Sequence, residues 1–261
     1  MRLLRPLCAL VQALAGLAWF AAGPAAAEQV AVRYNEGLVR GFLVLRTIDG
    51  ETIAGGEMNQ LFRDGRVTNR LTFRFQDGSL HDETAMFTQR RRFRLVSYHL
   101  VQKGPSFPTP MDVSIERGRI TVRYKDDDGN EKVETDPKAL PADVSNGLVM
   151  TLAKNVKPGT PETVVSMMAA TPKPQLVQLK ITSAGRESFS AGGLSHEAIH
   201  YVVKVDIGGV KGVLAKLLGK QPPDHHIWIA TGDSPGFVKA EGAMYLGGPP
   251  WRIELASPTW R

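Results

Sequence analysis

The chain has 261 residues with 32 basic and 26 acidic side chains, 43% hydrophobic residues and a single cysteine. It is too apolar and too balanced in charge to be a disordered chain, and one cysteine forms neither an intrachain disulfide nor a cysteine-based zinc finger. A net charge of +6 admits anionic partners, but 58 charges of mixed sign do not make a nucleic-acid stripe, so no nucleic-acid partner is expected.

Arg2 and Arg5 open the chain, an apolar run from Leu7 to Ala22 is broken only by Gln12, and Gly23-Pro24 then precedes Ala25-Ala26-Ala27. This is the layout of a secretory leader over residues 1–27, with cleavage expected after Ala27. The apolar run is short for a membrane span, which needs roughly 20 residues. Cys8 lies too early to be a lipidated cysteine. The expected mature chain, residues 28–261, carries no cysteine, has 30 basic against 26 acidic residues and is expected to lack a transmembrane span. A cysteine-free exported chain of this size is compatible with the periplasm and must be stabilised by its core alone.

The mature chain then alternates with period two. Leu71, Phe73 and Phe75, Ile120, Val122 and Tyr124, and Tyr201, Val203 and Val205 each share one strand face. Asp49-Gly50, Asp64-Gly65, Asp77-Gly78, Arg117-Gly118 and Asp128-Gly129 fall between such runs and read as hairpin turns. The pattern predicts strands over 38–48, 51–62, 67–76, 79–88, 93–103, 109–116, 119–125 and 130–135. It predicts further strands over 162–168, 175–187, 197–207, 225–231, 236–246 and 250–256. Two segments read as helices. Residues 142–156 repeat Val144, Leu148, Leu152 and Val156, with Asp143 or Ser145 available as a cap. Residues 209–219 place Val210, Val213, Leu214, Leu217 and Leu218 on one stripe, with Lys211 and Lys216 off it. The expected fold is mainly β: a single domain over 28–261, built as a meander of antiparallel strands with one or two short covering helices.

Two motifs resemble catalytic signatures. His196-Glu197-Ala198-Ile199-His200 matches H-E-x-x-H, which binds zinc only from a helix. The β-branched run that follows predicts a strand, where four residues span about 13 Å and the two histidines cannot share an ion. Gly232-Asp233-Ser234-Pro235-Gly236 matches G-x-S-x-G, but Pro235 lacks the N–H of an oxyanion hole and no helix follows. Asp126-Asp127-Asp128-Gly129-Asn130 reads as a solvated hairpin rather than a calcium loop. His225 and His226 are adjacent, so on a strand they face opposite ways. No catalytic residue, metal ligand or cofactor is therefore expected, and a zinc or serine hydrolase remains the least favoured alternative. Arg90, Arg91 and Arg92 form the densest positive cluster and are candidates for an anionic partner.

The stretches Ile115-Glu116-Arg117-Gly118-Arg119-Ile120-Thr121-Val122-Arg123-Tyr124, Asn146-Gly147-Leu148, Gly219 to Asp224 and Gly247 to Leu255 resemble a family of exported bacterial domains of unknown function. That family is similar to the periplasmic lipoprotein-localisation carriers. The resemblance implies a single strongly curved antiparallel sheet, a half-barrel, with helices over its concave face, a periplasmic location and no catalytic residues. The resulting expectation is a non-enzymatic protein that binds a hydrophobic ligand, such as an acyl chain or a lipid, in the curved sheet. Its contacts would be Val210, Val213, Leu214, Leu217 and Leu218, facing Phe73, Phe75 and Tyr124. The alternative is a structural or interaction module of the cell envelope whose sheet edges or arginine cluster bind a partner protein.

Overall fold

A computed structural model describes residues 29–126, 128–136, 139–191, 194–208 and 222–256. The leader and the helix expected over 209–219, with its five ligand-facing candidates Val210, Val213, Leu214, Leu217 and Leu218, lie outside the described residues.

The first meander runs β1 (Val39–Thr47), β2 (Thr52–Arg63), β3 (Arg66–Phe75), β4 (Leu80–Gln89), β5 (Phe93–Lys103), β6 (Met111–Glu116), β7 (Arg119–Lys125) and β8 (Glu131–Thr135). One short helix, α1 (Val149–Asn155), leads to the second meander. This comprises β9 (Thr163–Ala169), β10 (Gln175–Ala191), β11 (Leu194–Asp206), β12 (His225–Ala230), β13 (Phe237–Ala243) and β14 (Pro250–Leu255). β14 pairs antiparallel with β1, joining the two meanders into one 14-stranded sheet whose edges are β8 and β9. The expected mainly β architecture of one antiparallel sheet is thus the observed one: the sheet is not closed and carries one short helix among the described residues.

Turn chemistry sets the register. The glycines of all five predicted turns have positive φ, and at 64–65 and 117–118 the preceding residue does too, Asp64 at 51° and Arg117 at 49°. Arg63 pairs with Arg66 and Glu116 with Arg119, so both are two-residue loops of the kind that matches strand twist.

The sheet folds back so that its halves face each other across α1. One core cluster joins Phe87, Val113 and Val122 of the first meander to Leu148 and Leu152, and these to Ile181, Val203 and Ile227 of the second. A second cluster gathers Leu45, Ala54, Phe73, Phe75, Trp251 and Ile253 around the β14–β1 seam.

The expected helix over 142–156 is corrected to Val149–Asn155. Gly147 sits at φ 71°, which ends any helical run before it. The polar residues that read as caps do other work: Asp143 Oδ2 accepts from Ser166 N (2.9 Å), and Ser145 N donates to Ser166 O (2.9 Å). Asn146 both donates to Met168 O (2.8 Å) and accepts from Met168 N (2.9 Å). Segment 143–146 therefore satisfies the open edge of β9, while the other edge, β8, is short, exposed and charged at Glu131, Lys132 and Glu134.

Candidate functional site

Antiparallel pairing brings the ends of β1, β3, β5 and β13 to one end of the sheet, which is stoppered by aromatic rings. Phe107, on the β5–β6 loop and 2% exposed, packs against Phe75 (5.3 Å), Tyr245 (5.7 Å) and Trp251 (6.2 Å). Ser106 fastens this loop to the β3–β4 hairpin, N to Ser79 Oγ (2.8 Å) and Oγ to Asp77 Oδ2 (2.7 Å). The bonds from Ser106 and from the Ser79 backbone hold the Asp77 carboxyl below its usual range. Gly104 is required there: its φ is 101°, and a Cβ would lie 2.6 Å from Ser79 Cα.

Below this stopper lies a cavity of about 230 Å³ between the two halves of the sheet, lined by residues such as Leu71, Met150, Leu179, Val203, Ile227 and Ile253. A second chamber of about 530 Å³ extends towards the opposite end, where Leu38 (80% exposed), Val39 and Pro235 form its rim. The chambers share Leu71, Glu83, Val149, Met150 and Met167, so one side of α1 and one of β9 run along both.

The wall of the smaller chamber is largely apolar, whereas polar side chains such as Asn35, Glu36, Gln60, Asn69, Glu83 and Lys154 also line the larger one. On the inward face of β4, His81 and Glu83 precede Ala85 and Phe87. His81 is buried; its Nδ1 meets Gln102 Nε2 (3.1 Å), and Gln102 Nε2 also donates to Met244 O (2.8 Å). Burial pushes the His81 imidazole down to about 4, opposed only by the nearby Asp82 charge. Glu83 lines both chambers; Tyr98 Oη donates to its Oε1 (2.8 Å), and desolvation pushes its carboxyl up. In the larger chamber Lys154 Nζ pairs with Glu36 Oε1 (2.5 Å), and Gln60 Nε2 donates to Glu36 Oε2 (2.9 Å). His225 faces the smaller chamber beside Gly242, where a Cβ would lie 2.3 Å from the ring, and burial pushes it below its ordinary value.

The candidates named from the sequence are placed differently. Phe73 and Phe75 are buried in the seam cluster, and Tyr124 sits on β7 beside Val101, Met111 and Val133; none of the three lines either chamber. Arg90, Arg91 and Arg92 are exposed between β4 and β5, where Arg92 Nη1 donates to Gln29 O (3.2 Å). His196 and His200 both lie on β11, as the strand reading required. His196 neighbours the Phe189 ring (5.5 Å), whereas His200 joins a separate chain. Its Nδ1 meets Glu187 Oε1 (2.8 Å), its Nε2 meets His226 Nδ1 (2.8 Å), and its ring stacks on Trp228 at 4.3 Å. No group of three or more His, Cys, Asp or Glu placed to hold a metal occurs among the described residues. Gly232 to Gly236 is a turn into β13 rather than a strand–turn–helix elbow, and Ser234 lies on the rim of the larger chamber.

Fold and cavity define a class: an open antiparallel β-sheet curled around a largely apolar interior, stoppered by aromatic residues at one end. No family model matches the chain, and no curated protein matches it. Among solved structures it is similar to a beta-barrel-like protein of Domain of Unknown Function DUF1849 from Brucella abortus. The identity is 11% and the TM-score 0.46, covering 90% of this chain and 100% of that one.

Proposed function

We propose that this is an exported, non-catalytic protein of the periplasm that holds a hydrophobic ligand, an acyl chain or lipid, inside its curved sheet. The supporting observation is the pair of adjoining chambers of about 230 and 530 Å³ between the sheet halves. Apolar cavities of about 150 Å³ stay dry and accept benzene-sized molecules, and ligand sites are concave, mostly apolar and sparsely polar. The leader-like residues 1–27 support the compartment.

The test is direct. The delipidated mature chain is titrated with the neutral fluorescent probe N-phenyl-1-naphthylamine, and saturable, blue-shifted emission is expected. Met150→Trp places a larger side chain on the wall common to both chambers and lowers probe affinity at least tenfold with an unchanged far-ultraviolet dichroism spectrum. Absence of saturable binding, or a folded Met150→Trp protein that binds as the parent does, refutes the proposal.

A further inference from the structure

His81, which lines the smaller chamber, carries a buried hydrogen-bond donor with no acceptor among the described residues. Gln102 Nε2 is a donor only, so the His81 Nδ1 it meets at 3.1 Å must be an acceptor. Flipping the Gln102 amide would set its oxygen against Met244 O, which now accepts from Nε2 at 2.8 Å. The imidazole, kept neutral by burial, therefore carries its proton on Nε2. That atom is buried and has no hydrogen-bond partner among the described residues, on a residue 5% exposed that lines the chamber. A buried donor left unpaired is costly, and a ligand acceptor relieves the cost.

The charges around it select what the acceptor is. Glu83 stands two residues along the same face of β4, roughly 7 Å away by strand rise. Among the described residues lining the two chambers, Lys154 is the sole lysine or arginine, and it is already paired with Glu36. An ionised carboxylate entering beside Glu83 would meet an acidic neighbour and no unpaired lysine or arginine, whereas an ester or alcohol oxygen brings no charge to desolvate.

Resting on the apolar-ligand reading above, we infer that the chamber recognises a neutral acyl ester or alcohol, whose oxygen accepts the His81 Nε2–H, in preference to a free fatty acid or a bare hydrocarbon. The mature chain, loaded with N-phenyl-1-naphthylamine at pH 8, is titrated with methyl laurate, laurate and dodecane. Methyl laurate is expected to displace the probe about tenfold more effectively than either, and His81→Phe to bring it level with dodecane while probe binding persists. Equal potency of methyl laurate and dodecane in the parent protein, or tighter binding of laurate, overturns the inference but leaves the apolar site standing. Failure of every compound to displace a bound probe, or of the probe to bind, overturns both. Nitrogen-15 imidazole spectra provide a reading that needs no variant: an Nε2–H tautomer whose proton shifts with methyl laurate supports the assignment, and an Nδ1–H tautomer refutes it.

Discussion

The Glu36–Lys154 pair offers the sharpest test of how the helix is held against the sheet. Glu36 is 6% exposed, and its carboxylate is divided between Lys154 Nζ at 2.5 Å from Oε1 and Gln60 Nε2 at 2.9 Å from Oε2. Its backbone is clamped as well: its N–H donates to Gln89 Oε1 (2.6 Å), and its carbonyl accepts from Gln89 Nε2 (2.8 Å). Lys154→Met keeps the apolar stem of the side chain but strands a buried carboxylate, a change that costs about 3–5 kcal/mol. The double variant Glu36→Gln/Lys154→Met removes both charges and leaves the Gln60 bond a neutral acceptor, so most of that loss is recovered, to within ~1–2 kcal/mol of the parent. Urea denaturation followed by tryptophan fluorescence measures both. A single-variant cost below about 1 kcal/mol, or a double variant no more stable than the single, would show that the pair is solvated and that the reasoning from burial is wrong.

Three further outcomes follow from the same interior. His81 has a folded pKa of about 4 against 6.5 when exposed, so the unfolded chain binds the extra proton between those values. Stability therefore falls as pH drops from 6.5 towards 4, by up to about 3 kcal/mol, and His81→Phe flattens that limb of the profile measured by thermal denaturation. Glu83 acts in the opposite sense: its raised pKa means that stability is lost as pH rises above the ordinary carboxylate range, so Glu83→Gln gains stability at pH 7 relative to pH 4. Asn146→Ala removes the two bonds to Met168 and leaves a buried strand edge unsatisfied. It is expected to cost about 2–5 kcal/mol, with faster amide exchange along β9; unchanged exchange at Met168 would count against the capping role.

Strands of the first meander were legible where alternating runs are bounded by Asp-Gly or Arg-Gly, so that period and turn chemistry agree at five of its seven hairpins; β4–β5 turns through Arg90 to Arg92 and β5–β6 through a longer loop. Segment 142–148 misleads for a physical reason. Asp143, Ser145 and Asn146 are residues that bond to backbone, and nothing local tells whether that backbone is their own helix or a strand 22 residues away. The same non-locality hides the cavity. Phe73 and Phe75 look like ligand contacts because they are large and in phase, yet the backbone of Gly56 presses on Phe73, where a Cβ would lie 2.4 Å from the ring. They fill the seam; the chamber is left where Ala240, Gly242 and Met150 meet across the fold.

One signal was present in the sequence and carried the site. In Leu80-His81-Asp82-Glu83-Thr84-Ala85-Met86-Phe87, the polar His81 and Glu83 stand in phase with Ala85 and Phe87, so the face that is core at one end of β4 is ionisable at the other. A polar residue in phase with the core must find a partner from another strand or remain unpaired. Glu83 finds Tyr98, across the β4–β5 pair, whereas among the described residues His81 finds Gln102 with one nitrogen only. Phase thus locates the polar groups of the interior, and pairing across strands decides which of them is left for a ligand. That second step requires the register, because the carbonyl that fixes the Gln102 amide belongs to Met244, 142 residues further along the chain.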